Sequence, residues 1–339
     1  VPGVRGAQGQ RPVRAGREAG IDPVCHTLVG AGLARSGLAR RTAWSTTTLL
    51  IGANLPDVDA LAYFGGPAAD LAYRRGWTHG ILALVLWPFL LTGAIVLLDR
   101  TLLRLRRATL PTALVPGQVL LLATISILSH PILDTANTYG MRWLMPFSGR
   151  WFYGDTLFII DPWLWLALGA GLLLSRRRQD STRPPRIALA VSGVYAAAMA
   201  LSAITARRLA GPELEAISGT PVQRLMVSPF PVNPFLRSVV AEQEGVYRTA
   251  RFRWLPRPHI DRSTVRTSAK GDRTHPAVRQ ALATTEGRRY LGWARFPAFR
   301  VEPQAEGRFL VRIIDLRYGD PPGAPIGSIE IPVTLPSLP

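Results

Sequence analysis

His130-Pro131-Ile132-Leu133-Asp134-Thr135-Ala136-Asn137-Thr138-Tyr139-Gly140 follows an apolar run, Ala113 to Ser129. A run of that character reads as membrane-embedded. His130 and Asp134 stand four apart, on one helical face, where both reach the same ion. Pro131 donates no hydrogen bond and disfavours helix at His130, so the backbone is expected to kink or restart there. Ionisable groups at membrane depth are costly and argue for a function. The competing reading is a polar helix end meeting headgroups.

The chain has 339 residues, which allows two domains or so. Its formal net charge of +18 rests on arginine, Lys270 being the sole lysine. The arginines fall between apolar runs and across the C-terminal third. They do not line one basic helix with interleaved aromatics, so no nucleic acid partner is expected, and arginine-rich loops of a membrane protein fit better. Cys25 is the single cysteine, which excludes an intrachain disulfide and a cysteine zinc site.

Residues 1–20 read as a disordered basic tail. Asp22-Pro23 starts a helix with a cap and a proline at its first position. That helix carries His26 and ends near Arg35, Arg40 and Arg41. A second segment, Thr42 to Leu55, is also too short to cross a core of roughly 30 Å. Four longer apolar runs follow: Gly80–Leu98, Ala113–Ser129, Leu157–Leu174 and Ile187–Thr205. Trp151-Phe152-Tyr153 reads as an interfacial aromatic belt. The expected fold is an all-α polytopic membrane domain over residues 21–206, with about four long spans plus two short N-terminal helices. A small α+β or β-rich soluble domain over 207–339 follows it. There, Arg308–Ile314 and Ile326–Val333 read as strands and Pro276–Thr284 as a short helix.

Arginine clusters at 35–41, 100–107 and 176–186 mark alternate turns, which the positive-inside rule makes cytoplasmic. His26, Asp57, Asp59, His79, His130, Asp134, Asp155 and Asp161 then share the opposite face. The site and the C-terminal domain are expected outside the cytoplasm, in a bacterial inner membrane. The basic N-terminal tail lies on that side too, against the rule.

The chemistry sits in His26, Asp57, Asp59, His79, His130 and Asp134. Imidazole plus carboxylate without thiolate suits Zn²⁺, with Mn²⁺ or Fe²⁺ as alternatives, in a hydrolytic site. Each residue has a plain role as well. His26 caps or pairs locally, Asp57 and Asp59 turn the chain after Pro56, and His79 opens a span. Their meeting in one layer favours a metal site. His259 and His275, beside prolines and arginines, read as surface residues.

Residues 22–163 resemble the YdjM-like family of membrane-bound metal-dependent hydrolases. The matching pieces are Asp22-Pro23-Val24-Cys25-His26-Thr27, Gly52-Ala53-Asn54-Leu55-Pro56-Asp57-Val58-Asp59, Arg75-Gly76-Trp77-Thr78-His79-Gly80, and His130 to Asp134 with Asn137 to Gly140. Trp151 to Asp155 and Ile160-Asp161-Pro162-Trp163 also resemble it. More distantly, the order His26, Asp59, His79, His130, Asp134 is similar to that of metal ligands in the zinc-dependent phospholipase C and P1-nuclease group. That resemblance implies one metal on Asp59, His79, His130 and Asp134. It implies a second shared by His26 and Asp134, with Asp134 bridging. No later histidine pair with a glutamate completes a third site, so one or two metals are expected.

The implied activity is metal-assisted hydrolysis of a lipid or other phosphoester at the membrane. Asp57 and Asp134 are the catalytic candidates. Asp57 serves as support or proton acceptor, or ligates in place of Asp59. Arg74, Arg75 and Arg142 share that face, to hold an anionic group or to meet headgroups. The rival readings are a transporter using the same polar layer and a non-catalytic envelope protein with a structural metal.

Overall fold

The computed structural model describes residues 23–104, 112–305, 307–319 and 327–335. The basic tail, the Asp22 cap, Arg106, Arg107 and Ile326 lie outside them. Two compact units divide between Ala269 and Lys270.

The first unit begins with α1 (Pro23–Arg35), α2 (Ser45–Asn54), a 3-10 stretch over Leu55–Gly65 and α3 (Pro67–Tyr73). Then come α4 (Ile81–Arg104), α5 (Pro116–Ala136), α6 (Pro162–Arg177) and α7 (Arg183–Ser218). An antiparallel sheet ends the unit, made of β1 (Arg224–Pro229), β2 (Leu236–Gln243), β3 (Val246–Arg253) and β4 (His259–Ala269) in sequence order.

Helix α5 lies inside, packed on α1, α2 and α4. Its buried residues, Val119, Leu122, Ala123, Ser126, Ile127, His130 and Asp134 among them, recur at threes and fours and form one stripe. The helix runs on through Pro131 rather than restarting. Membrane helices tolerate such a proline when neighbours satisfy the freed backbone groups. His130 and Asp134 therefore stay on one continuous face.

Glycines let the short helices approach closely. A Cβ on Gly30 would meet the Leu49 carbonyl oxygen of α2 at 2.8 Å. A Cβ on Gly52 would run into the hydroxyl of Ser126 on α5 and lie 3.2 Å from its Cβ. These approaches bring α1, α2 and α5 near enough for His26, Ala53 and His130 to touch.

The described residues of the basic clusters and their neighbours gather at one end of this bundle. Arg35 pairs with Asp180, Arg186 donates to the Ser36 carbonyl at 2.7 Å, and the Trp44 indole donates to Asp99 at 2.9 Å. His26, His79, His130 and Asp161 lie at the opposite ends of their helices or just before them.

Among the described residues, three helices are long and apolar enough to cross a membrane: Ile81–Leu102, Pro116–Ala136 and Arg183–Ser218. The fourth expected span, Leu157–Leu174, is not among them. Helix α6 has 16 residues, about 24 Å at ~1.5 Å each, short of a core of roughly 30 Å. It starts late because Asp161 accepts the free backbone N–H groups of Trp163 and Leu164, fixing the helix start at Pro162. The boundary expected between residues 206 and 207 falls inside α7. That helix exposes Ile187, Val191, Val194 and Leu201 early, then buries Ala206, Ala210 and Leu214 against Leu225, Val239 and Phe252 of the sheet.

The second unit holds α8 (Pro276–Ala283), α9 (Thr285–Trp293) and an antiparallel sheet of β5 (Pro297–Pro303), β6 (Arg308–Asp315) and β7 (Ser328–Thr334). The chain thus passes from helices with candidate spans to a sheet-rich C-terminal part. The expected helix and both expected strands appear there as α8, β6 and β7.

Gly52→Ala is expected to cost about 1–3 kcal/mol by overpacking α2 against α5. Thermal unfolding in detergent checks it. Gly52→Ala combined with Ser126→Gly recovers most of the loss, because the obstructing atoms belong to Ser126.

Candidate metal centre

Four donors converge from three places in the chain. Asp57 comes from the 3-10 stretch after Pro56, His79 from the turn before α4, and His130 and Asp134 from α5. Among the described residues these four form a group whose donor atoms all lie within 4.8 Å of one another. The two imidazole Nε2 atoms are 3.1 Å apart. Asp134 Oδ2 is 3.3 Å from His79 Nε2 and 3.4 Å from His130 Nε2. Asp57 Oδ1 is 3.9 Å and 3.7 Å from the same two nitrogens. Tetrahedral ligands at ~2.0–2.1 Å from a metal would stand roughly 3.3–3.4 Å apart. The donor set fits such an ion, with Asp57 needing the largest adjustment.

The orientation of both imidazoles is fixed from behind. His130 Nδ1 donates to the Ala53 carbonyl at 2.7 Å, which leaves Nε2 as the lone-pair nitrogen. His79 Nδ1 lies 3.1 Å from Asp59 Oδ2 and 2.9 Å from the Thr78 hydroxyl. This is the carboxylate–histidine arrangement that orients metal-ligating imidazoles. Asp57 Oδ2 is a buried oxygen without a hydrogen-bond partner, and Asp134 Oδ2 faces only the two imidazole nitrogens. Such groups are costly to leave unsatisfied, and a cation among them would remove the cost.

The structure distributes the expected residues unevenly. His79, His130, Asp134 and Asp57 meet. Asp59 stands behind His79, its carboxylate taken by Arg74 at 2.8 Å, the Arg75 backbone N–H at 2.7 Å and the Thr78 hydroxyl at 2.9 Å. Of the two aspartates around Val58, Asp57 faces the other three donors. His26 stacks flat on His130 at 3.7 Å, and its Nε2 is 3.5 Å from Asp134 Oδ1, the oxygen turned away from the four-donor group. Asp155 is buried, and Asp161 caps α6.

Two buried arginines organise the carboxylates. Arg74 and Arg75 are each 1% exposed, so the expected headgroup contact does not hold for them. Arg74 joins Asp59 to Asp57, which it reaches at 3.4 Å. Arg75 holds Asp134 Oδ1 at 3.0 Å and donates to Asn137 at 2.9 Å, under the ring of Tyr139. Asn137 Oδ1 also accepts from the backbone of Tyr139 and Gly140, turning the chain back. Arg142 donates to the Ala72 and Arg74 carbonyls beneath Trp151. The run Trp151 to Tyr153 is half-buried, with Phe152 bridged to Met141. The carboxylate-organising role of Arg74 and Arg75 went unread in the sequence. The signal available was the adjacency of this pair to Gly76-Trp77-Thr78-His79.

Electrostatics follow from the pairing. Burial works against the charged form of His79, but hydrogen bonds to Asp134 and Asp59, with their charges, push its pKa up to about 9. Burial also opposes the charge on Asp59. The His79 hydrogen bond and charge, then Arg74 and Thr78, hold its carboxyl below the ordinary value.

A profile of the YdjM inner membrane protein family matches residues 21–209. The uncharacterized protein YfhP of Bacillus subtilis (strain 168) is 24% identical over 120 residues, which cover 35% of this chain and 32% of that protein. The match therefore spans about a third of that relative's length. No solved structure matches.

Asp57→Ala is expected to abolish stoichiometric metal binding, whereas Asp59→Asn weakens it about 10–100-fold. Calorimetry with Zn²⁺ ranks the two, and the reverse order would give Asp59 the ligand role. Metal must displace the proton on His79, so affinity is expected to rise up to about tenfold per pH unit and to flatten above about pH 9. Titrations in buffers of different ionisation enthalpy measure that proton release.

Proposed function

The chain belongs to the YdjM inner membrane protein family, and on that premise we propose that it is a membrane-embedded, metal-dependent hydrolase of lipid or other phosphoester substrates. The observation that carries this reading is the convergence of Asp57, His79, His130 and Asp134 within ligand reach, with both imidazoles held from behind.

His79, His130, Asp57 and Asp134 would hold the ion, most consistently Zn²⁺, with Mn²⁺ or Fe²⁺ as alternatives for this donor set. A divalent metal there supplies Lewis acidity toward an ester oxygen and lowers the pKa of water. The protein's own groups do the rest. Asp59 and the Ala53 carbonyl keep the two Nε2 lone pairs on target. Arg75 holds Asp134 Oδ1 so that Oδ2 faces the donors. Asp57 is the most accessible member, its side chain 11% exposed. Its unpartnered Oδ2 is placed to accept a proton from an attacking water. Arg75 already supplies a cation at Asp134 Oδ1, where a second metal bridged by Asp134 to His26 would sit. The mononuclear form is therefore favoured.

The arginines at one end of the bundle support, by the positive-inside rule, a cytoplasmic location for that end and an extracytoplasmic one for the metal centre. A structural metal is the second reading, because four protein donors can close a tetrahedral site.

Metal analysis of purified protein, with a panel of phosphodiester and lipid substrates, tests this. Wild type is expected to hold one equivalent and to hydrolyse at least one ester class, and His130→Ala and Asp134→Ala to lose both. Unchanged metal in both variants sinks the site. Bound metal without hydrolysis of any substrate transfers the case to the structural reading.

A further inference from the structure

Arg74 is shared by three carboxylates. It donates to Asp59 Oδ1 at 2.8 Å and reaches Asp57 Oδ1 at 3.4 Å, and its Nε lies 3.6 Å from Asp70 Oδ1. Asp57 and Asp59 belong to the metal centre and its support, and Asp70 stands behind them on α3. It precedes Arg74 by four residues, the order that favours an acid–base pair on a helix. The Arg74 backbone N–H donates to the Asp70 carbonyl at 2.8 Å, so Arg74 closes this seven-residue helix over Asp70.

The three carboxylates are held to different degrees. Asp59 Oδ2 accepts from the Arg75 backbone N–H and the Thr78 hydroxyl and lies against His79 Nδ1, which fixes Asp59 behind His79. Asp57 Oδ1 has two claims on it. Arg74 reaches it, and it stands 3.9 Å and 3.7 Å from the imidazole Nε2 atoms of His79 and His130. A cation at the centre and the Arg74 guanidinium therefore compete for one oxygen. Asp70 Oδ1 is the acceptor in reserve, a buried oxygen without a hydrogen-bond partner, just beyond hydrogen-bond reach of Arg74 Nε. Charge balance points the same way. A divalent ion together with Arg74 and Arg75 matches the carboxylates of Asp57, Asp59, Asp70 and Asp134. Without Asp70, the loaded centre would hold an unmatched positive charge. An exposed helical ion pair contributes little, but Arg74 is buried, and a buried charge that loses its partner is costly.

We propose that Asp70 is a positioning residue of the metal centre, which by holding Arg74 frees Asp57 Oδ1 to ligate. The proposal rests on the metal-centre reading and is independent of hydrolysis. It gives α3, which supplies no donor, the task of keeping a counter-charge behind the ligand.

Burial pushes the Asp70 carboxyl up to about 6, with Arg74 and Arg75 opposing the rise and Asp59 adding to it. Tyr63, on the 3-10 stretch packed against α3, also faces Asp70; burial raises its hydroxyl to about 12, so it stays neutral. Asp70 is therefore charged above about pH 6 and neutral below it.

Calorimetry with Zn²⁺ on the full chain in detergent tests the proposal. Asp70→Asn is expected to bind one equivalent about tenfold more weakly than wild type at about pH 7.5, and Asp70→Glu, which keeps the charge, to bind within about threefold of wild type. Asp70→Ser replaces Asp70→Asn if that variant does not fold. The gap between wild type and Asp70→Asn is expected to close as the pH falls below about 6, because protonation then does to wild type what the substitution does. A contact that served folding alone would leave the same gap at every pH. Equal affinity in wild type and Asp70→Asn overturns the proposal, as does a gap that does not narrow with pH or a loss that Asp70→Glu shares in full. Wild type that takes up no Zn²⁺, or His130→Ala that takes it up unchanged, overturns the metal centre itself, so the two failures are told apart.

Discussion

Arg75 bound to Asp134 is the interaction on which the centre depends. A carboxylate on the inner face of a membrane helix must be neutralised or paired. Arg75 does this from outside α5, arriving on the loop between α3 and α4. Its backbone N–H holds Asp59 while its guanidinium holds Asp134 and Asn137. One residue thereby ties the loop, the 3-10 stretch and the end of α5 together. Arg74 extends the lattice to Asp57. With His79 protonated, Arg74, Arg75 and His79 face the carboxyl groups of Asp57, Asp59, Asp70 and Asp134. A divalent ion replacing that proton would keep the cluster close to neutral.

The constraint also explains why such short helices are retained beside longer ones. Helices α1 and α2 are too short to cross a bilayer alone, yet each delivers a group to the centre. His26 of α1 stacks on His130, and the Ala53 carbonyl of α2 sets the tautomer of His130. Gly30 and Gly52 allow the approach that makes these contacts possible. In such packing, backbone proximity supplies attraction that a hydrophobic effect cannot supply within lipid.

Much of the site was legible in the sequence, for a physical reason. Charged and imidazole groups beside apolar runs are conspicuous, and the spacing of His130 and Asp134 places them on one helical face under any packing. The exchange between Asp57 and Asp59 was not legible. Two aspartates around one valine differ only in the direction each side chain takes, and Arg74, Thr78 and His79 decide that direction. Over Leu157–Leu174, hydropathy counts apolar residues without seeing the cap at Asp161, which starts α6 at Pro162. The aromatic run at Trp151 reads by composition as an interface, and its contacts with Arg142 and Met141 are what the structure adds.

The sequence by itself determined the elements governed by local periodicity and composition. These are the apolar helices, the alternating strands β6 and β7, the arginine clusters at the turns, and the identity of the imidazole and carboxylate donors. Tertiary structure alone decided which aspartate faces the donors, that Arg74 and Arg75 are buried, and that the helix continues through Pro131. Those outcomes depend on partners distant in sequence, brought together by glycine-sized gaps between helices. No local pattern encodes the pairing of a buried charge, because its energy depends on which opposite charge arrives and how much water leaves.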